Sequence, residues 1–319
     1  MNKQEHVEYL QKISSAPLPN KDLVDLHNHT TVSDGTLSPK ELIDLAAARE
    51  VKIMAVTDHD TVGGYPFLQE YGMEKGVTVI SGIEFSCDET RRGFDEVHIL
   101  GLFIDPHHKG LIARTKALQE KRIERSRKII EKIKALGYEI YYEEVEKKVG
   151  DSFGRPHIAQ ILMEKYPQKF SKVQDVFDTM VGTGKPAYVP RLDKITSKEA
   201  IEVIKAAGGI ASLAHPCLYK DEDVKELVKY FADSGGEAIE AEYPYHTNTK
   251  GVTREVSEHK RELTRQLAKQ YKLFITGGSD FHGSIRPVTT GDCGITTEKF
   301  EEIRRIVEHD RKNDRIRNK

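Results

Sequence analysis

The chain has 319 residues, 38% of them hydrophobic, and its 49 basic and 51 acidic residues give a formal net charge of −2. A chain of this length can bury one large core, or one core with a smaller satellite domain. The balanced charge excludes a global attraction to nucleic acid or membranes, so a polyanion would have to be recognised at a local site.

The cysteines and the N-terminal segment indicate the cellular compartment. Cys87, Cys217 and Cys293 are widely spaced and include no Cys-x-x-Cys pair, so neither a disulfide framework nor a thiolate zinc site is expected. The first 20 residues lack the apolar core of a signal peptide, and no later run approaches the ~20 apolar residues of a membrane span. We therefore expect a cytoplasmic protein with no membrane partner.

Seven β-rich apolar runs alternate with helical patterns and predict the strands. They cover residues 23–27, 52–59, 77–84, 96–103, 208–215, 237–243 and 273–280. Their nearly continuous apolar character is typical of parallel strands covered by helices. Between the first two runs, Ser38 as N-cap, Pro39 at the first helical position and Glu41 as capping-box residue predict a helix. Repeated β-α-β units indicate a parallel sheet, open or closed into a barrel, whose strand C-termini carry loops available for chemistry.

The alternation stops between residues 107 and 190, where helical periodicity dominates. Apolar residues at helical spacing from Leu111 predict one long helix that ends at Gly137. Its basic residues, Arg125 among them, are interpreted mostly as a solvated face. Three short helices are expected at 143–149, 156–165 and 171–180. This segment is interpreted as a helical insertion over the mouth of a barrel.

Side chains of the types that bind metal ions recur just after the predicted strands. His27 and His29 are separated by one residue, so both imidazoles can face one side of an extended chain. The full series of candidate ligands is His27, His29, Asp34, His59, Glu84, His98, His215, Asp280 and His282. Almost all lie at the same end of their strands, so a barrel would gather them at one mouth. Imidazole and carboxylate donors without thiolate suit Zn²⁺, Mn²⁺ or Fe²⁺, and this many ligands imply two or three ions that share a bridging carboxylate.

Each of these residues has an ordinary structural explanation when taken alone. A strand-end histidine is commonly just hydrogen-bonded, Asp34-Gly35 is a common turn, and Asp280 could cap a helix. Recurrence after several different strands favours the metal site over these explanations. The histidines outside the pattern are interpreted as surface residues: His6, His107, His108, His259 and His309.

The motifs together resemble those of the PHP superfamily, named for polymerase and histidinol phosphatase domains. They are His27-x-His29, Thr57-Asp58-His59-Asp60, Ala214-His215-Pro216 and Ser279-Asp280-Phe281-His282, together with Glu84 and His98. The resemblance covers nearly the whole chain after residue 22 and implies a distorted seven-stranded (β/α) barrel with a metal cluster at its C-terminal mouth. The implied ligand sets are His27, His29, Glu84 and Asp280 for one ion, Glu84, His98 and His215 for a second, and Asp34, His59 and His282 for a third.

The implied domain division is a polar leader of residues 1–21, a barrel of residues 22–106 and 191–319, and the helical insertion of residues 107–190. The insertion motifs Gly154-Arg155-Pro156-His157 and Gly184-Lys185-Pro186-Ala187-Tyr188 narrow the resemblance. They are similar to the stand-alone bacterial branch that includes nucleoside 3′,5′-bisphosphate phosphatases and a 5′-to-3′ exoribonuclease. Histidinol phosphatases share the cluster but not this insertion, and the chain carries no polymerase domain.

The cluster predicts metal-dependent hydrolysis of phosphate esters. The resemblance implies a phosphatase of small phosphorylated nucleotides, with the 3′-phosphate of a nucleoside 3′,5′-bisphosphate as the leading substrate. A multinuclear site lowers the pKa of bound water, so that hydroxide can attack phosphorus, and neutralises developing charge. Asp280 and Glu84 are the expected catalytic residues of the cluster. His246, which follows the sixth predicted strand, is a candidate for protonating the leaving oxygen.

Arg155 is the expected phosphate clamp, because arginine offers a fixed two-pronged donor set. Its expected helpers in the insertion are His157, Lys185 and Tyr188. The alternative for all four is a structural role in a turn and a helix start.

Other functions are also compatible with the sequence. The same fold could trim short 5′-phosphorylated RNA. Metal-dependent amide hydrolysis on a β/α barrel also uses His-x-His after the first strand, although no metal-bridging lysine is evident at a strand end. A metal-stabilised binding module without activity would require lost ligands, and all the expected positions are filled.

Overall fold

The computed structural model describes residues 3–16, 18, 20, 22–65, 67–147, 154–191 and 194–317. The strands in these residues are β1 (Leu23–Val24), β2 (Ile53–Val56), β3 (Thr78–Glu89), β4 (Phe94–Leu102), β5 (Ile210–Leu213), β6 (Ala238–Glu242), β7 (Phe274–Gly277) and β8 (Ile295–Thr296). The helices are α1 (Lys3–Ser14), α2 (Pro39–Ala48), α3 (Phe67–Lys75), α4 (Lys109–Ala135), α5 (Tyr142–Glu146), α6 (Arg155–Lys165), α7 (Val173–Val176), α8 (Ser197–Ala206), α9 (Asp221–Asp233), α10 (Tyr245–Asn248), α11 (Arg254–Tyr271) and α12 (Thr297–Arg317). Among the described helices, none combines the length and apolar character needed to cross a membrane.

The main sheet contains six strands in the order β2-β3-β4-β5-β6-β7 and curls into a half-barrel. The sequence prediction of an all-parallel sheet is wrong at β4, which is antiparallel to both β3 and β5. The reason is the short helical turn Thr90–Arg92 between β3 and β4, because so tight a connection can join only antiparallel strands. The pairs β2-β3, β5-β6 and β6-β7 are parallel, as predicted.

Each predicted strand overlaps an observed one, but β1 is short and lies outside the six-stranded sheet. It pairs antiparallel with β8, a two-residue strand that the sequence analysis did not predict. The segment after β1 bonds to both edges of the main sheet: Asp25 N donates to Ile53 O at 3.3 Å, and Leu26 N donates to Gly277 O at 3.0 Å. This segment carries His27 and His29, so the chain brings them between β2 and β7.

Helix α2 begins as its sequence predicts. Ser38 N donates to Glu41 Oε2 at 2.8 Å and Glu41 N donates to Ser38 Oγ at 3.3 Å, which completes a capping box ahead of Pro39. The helix buries Leu42 and Ile43 against the sheet. On its outer side, α1 contributes Ile13 to the same hydrophobic cluster.

Helices α4 to α7 share a hydrophobic core of their own. Ile129 and Ile133 of α4 are fully buried in one cluster with Ile158 and Leu162 of α6. Helix α4 ends at Ala135, and Gly137 follows it with a φ of 86°, a backbone conformation that glycine adopts readily. The solvated-face interpretation is wrong for Arg125, which is 9% exposed and donates to Val189 O at 3.0 Å.

Candidate metal centre

The predicted ligands come from six strands or the loops after them. His27 and His29 lie on alternate residues of the segment after β1, and Asn28 between them donates to Ala55 O at 3.1 Å. His59, His215, Asp280 and His282 follow β2, β5 and β7. Each lies beyond the carboxyl end of its strand.

Glu84 and His98 reach the same place from within strands. The prediction that Glu84 ends its strand is wrong, because β3 continues to Glu89 and pairs with β4 beyond it. His98 lies in the middle of β4, opposite Ser86. Since β4 runs antiparallel to β3, its middle rather than its carboxyl end adjoins the other ligands.

Glu84 is the centre of the group. Its Oε1 lies 3.0 Å from His98 Nδ1 and 3.2 Å from His215 Nε2. Its Oε2 lies 3.1 Å from His29 Nε2, 3.2 Å from His59 Nδ1 and 3.4 Å from His27 Nε2. The side chain is 1% exposed. Its two oxygens therefore face different sets of imidazoles, which is the arrangement of a bridging carboxylate.

Three overlapping groups of donor atoms could each hold an ion. They are His27, His29 and Asp280; His59, Glu84 and His98; and His29, Asp34, His59 and His282. The structure thus brings together all the predicted ligands, including His215 beside Glu84 and His98. The groups differ from the predicted sets mainly in His29 and His59, which each belong to two of them.

The donor atoms fit divalent ions. His27 Nε2 lies 3.4 Å from Asp280 Oδ1, and His282 Nε2 lies 3.3 Å from Asp34 Oδ1; ligands bound tetrahedrally at about 2.1 Å from one ion are separated by about 3.4 Å. His59 Nδ1 is buried and has no hydrogen-bond partner among the described residues, although it faces Glu84. A nitrogen lone pair in that position suits a metal ligand.

The imidazoles control the charge of Glu84. Burial alone would raise the pKa of its carboxyl group, but His59, His27 and His98 outweigh burial and hold the pKa well below its usual range. Glu84 is therefore a carboxylate, the form that binds cations.

Two buried acids that the sequence analysis missed position the ligands. Glu240 in β6 is fully buried; its Oε1 lies 3.0 Å from His27 Nδ1, and its Oε2 accepts from His215 N at 2.8 Å. Asp25 accepts from Ser279 N at 2.9 Å and from Gly291 N at 2.7 Å. Burial raises the pKa of Asp25 to about 6, against the effect of these hydrogen bonds. The sequence did carry a signal for both residues, because each is an acid inside an apolar run. An unpaired buried charge is costly, so an acid in such a run is expected to have a specific partner.

Asp280 turns its two oxygens in different directions. Oδ1 lies 3.4 Å from His27 Nε2 and 3.5 Å from His29 Nε2, on the ligand side. Oδ2 accepts from Tyr243 Oη at 2.8 Å and contacts Arg286. The residue has a φ of 54°, a conformation disfavoured for side chains with a β-carbon. Tyr243 and Arg286 hold this aspartate toward the cluster.

A cavity of ≈ 310 Å³ adjoins the cluster at Asp34, His59 and His98. Its described lining includes five arginines: Arg122, Arg125, Arg155, Arg191 and Arg286. These arginines outnumber the two carboxylates of the described lining, Asp34 and Glu96, so the cavity suits an anionic ligand.

Only some of the predicted substrate-binding residues line this cavity. Arg155 and His157 line the cavity, whereas Lys185 and Tyr188 are not among its described lining residues. Arg155 also donates to Val181 O at 3.2 Å. His246 is absent from the same described lining, and its Nδ1 lies 3.4 Å from Ser257 Oγ on α11.

Comparison with known proteins identifies relatives of this chain. The PHP domain model matches residues 25–243. A 5′-3′ exoribonuclease of Haemophilus influenzae is 34% identical over 263 residues, covering 81% of this chain and 89% of that protein. A 3′,5′-nucleoside bisphosphate phosphatase of Chromobacterium violaceum is 32% identical over 263 residues, covering 81% and 87%. A solved Chromobacterium violaceum structure, described as an amidohydrolase with bound sulfate and no metal, has a TM-score of 0.73 at 28% identity, over 88% of this chain and 95% of that one.

Proposed function

This chain belongs to the PHP family and hydrolyses phosphoric esters, as its motifs predicted, and from that premise we propose that it removes the 3′-phosphate of nucleoside 3′,5′-bisphosphates. The observation that carries the proposal is the adjacency of the donor cluster to the arginine-lined cavity, which share Asp34, His59 and His98. Cations on one side and guanidinium groups on the other suit a small ligand with more than one phosphate group.

We propose that the nine predicted ligands hold two or three divalent ions, Mn²⁺, Zn²⁺ or Fe²⁺. Such ions, when bound, polarise a phosphate ester and lower the pKa of water. Glu84 and Asp280 bind through carboxylate oxygens that already face several imidazoles. The arginines of the cavity offset the negative charge of the substrate and orient it toward the cluster.

The finer architecture is part of the same proposal. The segment after β1 would be the seventh strand of a distorted barrel, because it is hydrogen-bonded to β2 and to Gly277 of β7. Residues 107–190 would be a helical insertion domain over the mouth of that barrel. The separate core of α4 to α7 and the cavity between α6 and the cluster support this division. We also propose that the enzyme works in the cytoplasm.

Trimming of short 5′-phosphorylated RNA is the second candidate, because a relative that is 34% identical, against 32% for the bisphosphate phosphatase, is an exoribonuclease. Amide hydrolysis has less support. No lysine contacts Glu84 in the described part of the chain, and an arginine-lined cavity suits phosphate better than a neutral amide.

The proposal is tested by measuring phosphate and nucleotide release by manganese-loaded protein. The substrates are adenosine 3′,5′-bisphosphate, adenosine 5′-monophosphate, histidinol phosphate and a short 5′-phosphorylated RNA. We expect preferential turnover of the bisphosphate, abolished by Asp280→Ala and unchanged by His259→Ala. His259 is a matched control because its side chain is 64% exposed and pairs with Asp221.

Preference for the RNA would replace the proposal with the exoribonuclease. Preference for histidinol phosphate would contradict the nucleotide assignment. Turnover that survives Asp280→Ala would remove the donor cluster from the reaction.

A further inference from the structure

Asp58 is a buried acid just beyond the carboxyl end of β2, with an exposed fraction of 3%. Its Oδ1 accepts from Thr30 N at 2.8 Å and from Ser33 Oγ at 2.5 Å. Its Oδ2 accepts from Thr30 Oγ1 at 2.7 Å. These donors belong to the loop after β1 that carries the candidate ligands His29 and Asp34. Asp58 therefore ties that loop to the end of β2.

The hydroxyl group of Ser33 lies between Asp58 and these two ligands. Its Oγ is 3.4 Å from His29 Nδ1 and 3.3 Å from Asp34 Oδ1. A hydroxyl group has one hydrogen to donate. Asp58 Oδ1, at 2.5 Å, is much nearer than Asp34 Oδ1, and it is an acceptor because it also receives the backbone hydrogen of Thr30. The Ser33 hydrogen therefore goes to Asp58, and the Ser33 oxygen presents a lone pair to His29.

The direction of this hydrogen bond determines which nitrogen of His29 is available to a metal ion. Nδ1 faces two acceptors, Ser33 Oγ at 3.4 Å and Asp34 Oδ1 at 3.6 Å. Both favour a hydrogen on Nδ1, which leaves the lone pair of the neutral ring on Nε2. Nε2 lies 3.1 Å from Glu84 Oε2 and 3.5 Å from Asp280 Oδ1. The lone pair is therefore on the side of the other candidate ligands.

We propose that Asp58 and Ser33 are positioning residues that together hold His29 with Nε2 as its metal-binding atom. The inference rests on the divalent ions of the proposed function. Asp58 takes the hydroxyl hydrogen of Ser33, and Ser33 Oγ in turn accepts from His29 Nδ1. An acceptor behind a ligating imidazole fixes the orientation and tautomer of the ring, and its loss lowers metal affinity about ten- to hundredfold. Asp58 acts here through the direction of a hydrogen bond and not through its charge.

The first test measures the affinity of Ser33→Ala for manganese and zinc by competition with a chelator. We expect binding about ten- to hundredfold weaker than in the wild type, while Asp58 keeps the hydrogen bond from Thr30 N. Ser81→Ala is the matched control, because Ser81 is 6% exposed and its hydroxyl group donates, also at 2.5 Å, to the backbone oxygen of Ile104. The control should keep wild-type affinity. Wild-type affinity in Ser33→Ala, or an equal loss in both serine variants, would overturn the inference.

Substitutions of Asp58 separate the direction of the hydrogen bond from the charge. Because Thr30 N needs an acceptor, the amide oxygen in Asp58→Asn would take the place of Oδ1 and would still accept from Ser33. The amide nitrogen would then donate to Thr30 Oγ1. We expect Asp58→Asn to keep metal affinity close to that of the wild type and Asp58→Ala to lose as much as Ser33→Ala. A loss in Asp58→Asn as large as that in Ser33→Ala would assign the effect to charge and overturn the inference.

Magnetic resonance of zinc-loaded protein with nitrogen-15-labelled histidine reports the tautomer without turnover. We expect the ring hydrogen of His29 on Nδ1, and faster exchange of that hydrogen with water in Ser33→Ala. A hydrogen on Nε2 would overturn the inference. Metal binding that depends on Ser33, without 3′-phosphate release, would sustain the inference and reject the proposed function. Release of the 3′-phosphate by a protein whose metal affinity is independent of Ser33 would overturn the inference alone.

Discussion

Glu240 Oε1 lies 3.0 Å from His27 Nδ1, with both side chains fully buried. The contact leaves His27 Nε2 directed at Glu84 and Asp280. A carboxylate on the far nitrogen fixes the orientation and basicity of a ligating imidazole. Because Glu240 also accepts from His215 N, one side chain in β6 sets the position of two candidate ligands on other strands.

Glu240→Gln should weaken metal binding without unfolding the protein. Loss of such a supporting carboxylate lowers metal affinity about ten- to hundredfold. The measurement is the manganese or zinc content after dialysis against graded chelator. Glu237→Gln is the control, because Glu237 lies just before the same strand with a side chain 30% exposed. Equal metal retention in both variants would show that His27 does not depend on Glu240.

Removal of metal should lower the melting temperature. Ions that bind only the folded state stabilise it by about 2.7 kcal/mol at a concentration one hundred times Kd. We expect chelator to lower the melting temperature, manganese to restore it, and Glu84→Ala to abolish the response. A melting temperature that is independent of chelator in the wild type would argue against a resident metal.

Gly278→Ala should disturb the centre through the backbone. A β-carbon at Gly278 would lie 2.4 Å from His27 Cβ and 2.5 Å from His27 N, so the segment that carries two ligands would have to move. We expect a loss of about 1–3 kcal/mol in the free energy of unfolding and a strong loss of turnover, measured by denaturant titration and phosphate release. For comparison, Gly110→Ala in α4 meets only the far end of the His108 side chain and should retain both properties.

Glu242 should contribute stability that depends on pH. Burial alone would raise its pKa, but Arg265 and Arg261, each 2.9 Å from a carboxylate oxygen, outweigh burial and lower the pKa. A lowered folded pKa gives stability that is fully present above the unfolded value, about 4.3, and is lost as the pH falls toward the folded value. Glu242→Gln should therefore be about 1–3 kcal/mol less stable than wild type at neutral pH.

That difference should shrink below about pH 4.3, as measured by urea unfolding of chelator-treated protein across pH. Glu258→Gln provides the control, because Glu258 contacts the same Arg265 with a side chain 56% exposed and exposed pairs contribute about 0–1 kcal/mol. A difference that stays constant down to acid pH would mean that the charge of Glu242 is not responsible.

The sequence predicted which side chains the fold brings together at the candidate centre, because side-chain chemistry and most strand ends are local properties. The chain order of the seven predicted strands and the capping box at Ser38 follow from the sequence, although β1 lies outside the six-stranded sheet and β3 extends beyond its predicted end. The direction of β4 could not be predicted, because an apolar run looks the same in a parallel and in an antiparallel strand. The prediction therefore placed His98 correctly beside the other candidate ligands but gave its strand the wrong direction.

The supporting residues were missed for a different reason. The supporting roles of Glu240 and Asp25 depend on partners that are distant in sequence and adjacent only in the folded structure, such as His27 and Ser279. Arg122 stands among many basic residues of α4, and helical periodicity cannot show that it faces Asp60 rather than water. Only tertiary contacts distinguish an arginine that pairs with a buried carboxylate there from a solvated one.

Asp25 also determines when the centre can assemble during synthesis. Its partners Ser279 and Gly291 lie 254 and 266 residues further along the chain, so the loop that carries His27 is fixed only after the final third has emerged from the ribosome. Contacts of such separation form late, because long loops must close first. A nascent chain that ends after β6 would contain seven of the nine candidate ligands and would still lack Asp280 and His282, which follow β7.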